Sequence, residues 1–333
     1  MNTPSGPEES ARPPSYARGV RAPYAALPAA VHAWVEQQLG GPVTRVQDRV
    51  GGFAPGCAAV VGTNDRTAFC KATGSVPNPV ALELYRGERS RLAALPDHPA
   101  VPKPLAAADL RLPDQVWAVT LLPALPGEPP AHPWTEPVAR LVLDRLGELQ
   151  TTLVASVAAV PSRLPGSDEL VGFFGRWSDI LDDPTDPWGE HPWVQQRRER
   201  LLAGDDRLQA DVVGGVPAHA DLRADNVLIG TPARLGDDPP VWFVDWAAAL
   251  CAAPWVDPAI LACDLVVSGA DRSTGGTMEV AAFLASHPLT AAIRPRAPLG
   301  DDERPRGSAA PAVPTARPAR ATHDPRLAAA VRG

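Results

Sequence analysis

The chain has 333 residues, 45% of them hydrophobic, which suffices for a sizeable core in one large domain or two lobes. Its formal charge is −7, although the last 43 residues carry eight Arg against four acids, so the body is more acidic still. That balance argues against nucleic acid as a partner and suits either a cationic ligand or plain solubility, while the absence of a long apolar run or a signal-like N-terminus argues against a membrane.

Residues 1–26 are Pro-, Ser- and Arg-rich and are expected to stay disordered. A short helix over 29–39 leads into a strand over 43–50 and then into Gly51-Gly-Phe-Ala-Pro-Gly56. Gly51, Gly52 and Gly56 let such a loop bring its backbone close to phosphates, although by itself the pattern is usually just a hairpin. A strand over 57–61, a turn at Thr63-Asn-Asp65 and a third strand over 67–72 follow, and the third strand delivers Lys71. Lys71 is one of two lysines in an arginine-rich chain, the other being Lys103, and it stands inside an apolar run. A compact ammonium fits between phosphates and an acidic partner. The acid is expected from a helix over 82–95, with Glu88, backed by Leu92 and Leu95, ahead of Glu83. A strand is expected to start over 101–105, and a buried one over 115–122. Around Leu122 the turn-formers of residues 123–130 make a connector where a nucleotide base could meet backbone groups between two lobes.

Beyond the connector, Thr135 and Pro137 mark a helix start. Val138, Leu141, Val142, Leu146, Leu149 and Leu153 form a helical stripe that reads as core packing. Helices are expected over 171–181 and 194–208, with Trp188 and Trp193 flanking a proline-rich turn, where they either line a cleft for a sugar or cap the core, the latter being favoured. The densest chemistry lies in Val216-Pro-Ala-His-Ala-Asp-Leu-Arg-Ala-Asp-Asn-Val-Leu-Ile229, followed by Val241-Trp-Phe-Val-Asp-Trp246. Asp221 can orient a substrate hydroxyl or accept its proton. Asn226 and Asp245 offer the few hard oxygens that Mg²⁺ takes besides water and phosphate. Arg223 suits forked contact with a transferring phosphoryl group, and His219 reads as a brace for the loop. A metal cluster of His219, Asp221 and Asp225 is the competing reading, but no second ligand group accompanies it. The compound pattern is the one phosphoryl transfer needs, because there the protein positions groups and neutralises phosphate charge. Two further helices are expected over 257–268 and 278–286. Cys57, Cys70, Cys251 and Cys263 lie in apolar runs without metal-ligand spacing and read as buried, reduced thiols of a cytoplasmic protein.

Taken together, the glycine loop, Lys71, Glu88, the connector, His219-Ala-Asp-Leu-Arg-Ala-Asp-Asn226, Val244-Asp-Trp246 and Pro254-Trp-Val-Asp-Pro258 resemble the aminoglycoside phosphotransferase family. The resemblance spans about residues 35 to 290. It implies an α+β, two-lobed, protein-kinase-like fold. Its smaller lobe, an antiparallel sheet with one main helix, would occupy residues 27–122, and a larger, mostly helical lobe residues 123–290. It also implies ATP or GTP with Mg²⁺ as donor and a small hydroxylated molecule as acceptor, with nothing fixing the oligomeric state. By the same resemblance Asp221 is the catalytic aspartate, Asn226 and Asp245 hold metal, Lys71 and Glu88 form the phosphate-binding pair, and Asp257 steadies the catalytic loop. The family usually has Gly where this chain has Ala220, which is harmless unless φ is positive there. Relatives usually continue with amphipathic helices where residues 291–333 form an Arg/Pro-rich stretch that cannot bury enough surface to fold alone.

Overall fold

Five strands, β1 (Arg45–Asp48), β2 (Cys57–Gly62), β3 (Thr67–Gly74), β4 (Ala106–Arg111) and β5 (Val116–Pro123), form one antiparallel sheet in the order β1-β2-β3-β5-β4. In this computed structural model the described residues are 21–49, 56–76, 79–159, 164–170, 177–234 and 237–291. The β2–β3 turn closes on Thr63, whose buried hydroxyl accepts the Asp65 and Arg66 N–H groups at 3.3 and 3.1 Å. Helix α1 (Ala29–Leu39), ended by Gly40 at φ 77°, lays Val31, Val35 and Leu39 on one face of the sheet, against Cys57, Ala59, Cys70 and Ala72. Strand side chains alternate, so Lys71 and Thr73 project to the opposite face. That face is covered by α2 (Pro79–Ala94), which bridges β3 and β5.

The N-terminal region departs from expectation in two places. Part of the stretch expected to be disordered, Tyr24–Ala26, forms a 3-10 turn with Tyr24 buried beside His32, while residues 1–20 lie outside the described ones. The strand expected over 101–105 is reduced to a single bridge between His98 and Val101, since Pro102 and Pro104 have no N–H to give a ladder. The strand begins instead at Ala106, in an alanine-rich edge segment with little intrinsic β preference.

The rest of the chain is mostly helical: α3 (Glu136–Ala159), α4 (Trp177–Asp182), α5 (Pro192–Gln195), α6 (Arg198–Asp211), α7 (Val256–Val267), α8 (Val280–Ser286) and α9 (Pro288–Ala291). The single helix expected over 194–208 is interrupted at Gln196 and Arg197, and residues 171–176 of another lie outside the described ones. Two small β units sit among these helices. β7 (Val216–Ala218) pairs with β10 (Leu250–Ala252). β6 (Gly127–Glu128), β8 (Val227–Gly230) and β9 (Val241–Phe243) make a three-stranded sheet. The connector is therefore more than a linker, because Gly127 and Glu128 pair with Gly230 and Ile229. A Cβ on Gly127 would stand 3.0 Å from the Trp242 ring and 3.2 Å from the Ile229 backbone, so glycine is what permits this approach.

The α+β, two-lobed layout is the one the resemblance implies. One apolar cluster joins the lobes: Leu92, Leu95, Val101 and Leu122 pack with the α3 stripe (Val142, Leu146, Leu149, Leu153) and with Val227 and Phe243. Trp188 and Trp193 are only half-buried and do not cap the core as expected. The Trp193 ring lies 6.4 Å from that of Trp177 and 4.8 Å from the Arg197 guanidinium. The four cysteines are free, but only Cys57 and Cys70 are buried; Cys263, expected inside, is exposed. Among the described residues no helix is long and apolar enough to cross a membrane.

Candidate active site

Lys71 reaches across the gap between the lobes. Its ammonium lies 2.5 Å from Glu88 Oε2 on α2 and 3.1 Å from Asp245 Oδ1, which follows β9 in the other lobe. Burial works against the Lys71 charge, but Asp245 and Glu88 outweigh it and hold the ammonium above its ordinary range. Burial pushes the Glu88 carboxyl up despite Lys71. At Asp245 burial acts the same way, yet Lys71 wins and keeps that carboxyl below the usual range. Glu88 is thus the acid that meets Lys71, whereas Glu83 lies on the exposed face, paired with Arg86. Gly56 closes the glycine-rich segment, and Gly51 and Gly52 lie outside the described residues. Leu122 buries its side chain in the shared core and pairs with Phe69 of β3.

The loop after β7 is built around His219, which is fully buried. Its Nε2 bonds the Val244 carbonyl at 2.8 Å and its Nδ1 accepts the Asp221 N–H at 3.3 Å. A carbonyl can only accept and an N–H only donate, so the ring carries its proton on Nε2 and has no nitrogen left for a substrate. It braces the loop, its ring tilted against that of Trp246 with centroids 4.6 Å apart. Asp221 keeps its side chain one-quarter exposed. Arg223 folds back on it, Nε to Oδ1 at 2.9 Å, and also reaches Asp225. Burial pushes the Asp221 carboxyl up, while Arg223 and His219 pull it down only in part.

Helix α7 anchors this loop with two acids seven residues apart on one face. Asp257 accepts the N–H groups of His219 and Ala220 at 2.9 and 2.8 Å. Asp264, not singled out by its sequence, accepts Ala224 N–H at 3.1 Å and Trp134 Nε1–H at 2.9 Å. Heptad-spaced acids inside the otherwise apolar Val256–Val267 segment were the available signal. Ala220 adopts φ 61°, the condition under which alanine is strained where glycine would not be.

Two further contacts also escaped sequence reasoning. Arg91, one turn after Glu88, donates to the Ala247 carbonyl and pairs with Glu169 at 2.7 Å, tying α2 to the turn after Asp245. Lys103 donates to the Leu92 and Leu95 carbonyls and caps the end of α2. Both lysines of the chain therefore hold that helix.

The donor set suits Mg²⁺. Asn226 gives its amide hydrogens to the Asp221 carbonyl and carboxylate at 2.8 and 3.0 Å, which commits its nitrogen and leaves its oxygen as the free donor. Asp245 holds Lys71 through Oδ1, and its side chain is 40% exposed. No group of three His, Cys, Asp or Glu with metal-holding geometry occurs among the described residues. The His219, Asp221 and Asp225 cluster is thereby not formed. One carboxylate and one amide oxygen, with phosphates and water completing the shell, are a set that Mg²⁺ accepts.

A sequence profile described as the phosphotransferase enzyme family matches residues 59–322, reaching into the Arg/Pro-rich stretch. Among solved structures, a spectinomycin phosphotransferase in complex with ADP and spectinomycin is 14% identical at a TM-score of 0.37, over 67% of this chain and 69% of that one. A microcompartment-associated aminopropanol kinase is 15% identical at 0.40, over 75% of this chain and 82% of its own. A Ralstonia eutropha protein assigned as an aminoglycoside phosphotransferase is 15% identical at 0.47, over 79% of each chain. No curated protein sequence matches significantly. Likenesses this distant carry no weight for the choice of substrate.

Proposed function

The chain belongs to the phosphotransferase enzyme family, and on that premise we propose that it moves the γ-phosphoryl group of ATP or GTP to a hydroxyl of a small molecule. The observation that carries this reading is the continuous set from Glu88 through Lys71 to Asp245 in one direction, and from Asp257 through His219 to Asp221 and Asn226 in the other. Asp221 orients the acceptor hydroxyl and takes its proton as the oxygen attacks the γ-phosphorus. The new O–P bond forms as the bond from the γ-phosphorus to the β–γ bridging oxygen breaks, releasing the nucleoside diphosphate. Lys71, aimed by Glu88, contacts the phosphates, and Arg223 leaves Asp225 to meet the transferring group. Asn226 and Asp245 hold Mg²⁺, which when bound supplies neutralisation of phosphate charge.

A cationic, hydroxylated acceptor such as an aminoglycoside suits the acidic body of the chain. Choline- or homoserine-type kinases would use the same steps on another acceptor. Buried free thiols at Cys57 and Cys70 suit a reducing compartment such as the cytoplasm. The test is nucleotide consumption in the presence of aminoglycosides, macrolides, choline and homoserine, with Asp221→Asn as control. Acceptor-dependent turnover by the wild type alone supports the reading; identical behaviour of the two proteins with every acceptor sinks it and leaves a catalytically silent nucleotide-binding module.

A further inference from the structure

Tyr85 lies on α2 one turn before Glu88 and is 4% exposed, yet its hydroxyl has no hydrogen-bond partner among the described residues. Buried hydroxyls left unpaired are uncommon and destabilising, so each asks for a reason. The neighbours show where this one points. Lys71 Nζ stands 5.3 Å from the ring centroid. A Cβ built on Gly56 would lie 2.5 Å from the hydroxyl oxygen and 2.9 Å from the Ala72 carbonyl, so the hydroxyl lies against bare backbone at the entrance to β2. Nor does it bond Glu88 Oε1, which is itself without a partner. A side chain meant only for packing would be served better by Phe at this position.

We infer that the Tyr85 hydroxyl donates to a phosphate oxygen of the bound nucleotide beside Lys71, which makes Tyr85 a binding residue of the site; the inference rests on the phosphotransferase reading above. A phenol beside an ammonium can share the anionic oxygen that the ammonium attracts, since hydrogen bonds to charged acceptors are the strong ones. Burial pushes the Tyr85 phenol up, so it stays a donor at any working pH. The ring meanwhile gives the Lys71 charge an aromatic face.

The experiment measures binding of ATP, ADP and adenosine, with GTP, GDP and guanosine in parallel, to the full chain and to Tyr85→Phe in the presence of Mg²⁺. The ligand-free thermal midpoint of each protein is recorded alongside. Tyr85→Phe is expected to weaken di- and triphosphate binding about tenfold or more and to leave the nucleoside unaffected. Its ligand-free midpoint is expected to be equal or higher, because an unpaired buried hydroxyl has gone. Equal phosphate affinity, an equal loss for the nucleoside, or a lower ligand-free midpoint would each overturn the inference, the last by showing that the hydroxyl is satisfied within the protein. A wild type that binds neither triphosphate removes the phosphotransferase reading itself and the inference with it.

Discussion

Asp257 accepts the N–H of Ala220 at 2.8 Å while Ala220 sits at φ 61°, so a buried carboxylate holds an alanine in a conformation that favours glycine. The same carboxylate holds His219 N–H, and these two bonds set the direction in which the chain leaves towards Asp221. A left-handed alanine costs about 1–2 kcal/mol, and glycine's greater freedom in the unfolded chain offsets about 0.5–1 of that. Ala220→Gly is therefore expected to leave stability unchanged or to raise it by up to about 1.5 kcal/mol, with turnover retained. Urea denaturation decides, and a clear loss of stability would show that the backbone is not strained. Ala220→Val adds a β-branched group at a buried left-handed position, and should lose more than about 2 kcal/mol together with activity.

Asp264 is expected to matter to stability as much as its better-marked neighbour. Asp264→Ala leaves the Trp134 indole N–H and the Ala224 N–H without an acceptor in a buried place. Each lost partner costs about 1–3 kcal/mol, so a drop of about 2–6 kcal/mol is expected, with reduced turnover as the turn before Asn226 loosens. Both donors meet the same oxygen, Oδ2, so Asp264→Asn can keep both bonds to a weaker, neutral acceptor and should fall between the two. Thermal denaturation of the three proteins checks the order; an Asp264→Ala chain as stable as the wild type would remove the anchoring role.

Much of this site was legible in the sequence, and the rest was hidden for one physical reason. Lys71 stood out because ammonium is rare in a chain that otherwise uses guanidinium, and Asp221 and Asn226 because their spacing follows a loop geometry. Such signals are local. Asp264 meets Trp134 130 residues away, and Arg91 meets Ala247 across 156 residues, so neither leaves a pattern along the chain. Tyr85 reads as ordinary core on a helix; only an accounting of its hydroxyl in three dimensions separates it from Phe. The strand expected over 101–105 does not form because Pro102 and Pro104 lack the N–H groups that a ladder needs, however apolar the segment.

The pH dependence of turnover should reveal the balance at Asp221. The carboxyl must be ionised to accept a proton. Burial raises it and Arg223 lowers it in part. The acid limb of kcat/KM is thus expected above the ordinary aspartate range of about 4. Arg223→Gln removes the cation that favours ionisation, so the limb should move to still higher pH, whatever happens to kcat. A limb that stays in place or moves down would mean that another group sets it. Stability follows the same sign. A carboxyl raised in the folded state contributes most below its unfolded value and loses that contribution as pH rises through the folded one. Asp221→Asn should therefore gain stability at neutral pH relative to the wild type, and gain less near pH 4, while turnover is lost.

The Lys71 and Glu88 pair should separate stability from function. Lys71→Met alone leaves the Glu88 carboxylate buried without its counter-charge, next to the charge of Asp245. Removing one partner of a buried ion pair costs about 3–5 kcal/mol, whereas replacing both by apolar groups of similar volume is often nearly neutral. Glu88→Leu introduced into Lys71→Met is then expected to recover most of the lost stability, because α2 already packs apolar residues against the sheet at Leu82 and the Ala118 contact. Binding of a nucleoside triphosphate should not recover, since no ammonium is left to meet its phosphates. The pair of measurements is urea denaturation of the wild type, Lys71→Met and the double variant, and calorimetric titration of each with ATP and GTP. A double variant no more stable than Lys71→Met would show that the ion pair is not what sets the cost. A double variant that binds nucleotide as the wild type does would show that Lys71 serves the fold and not the phosphates.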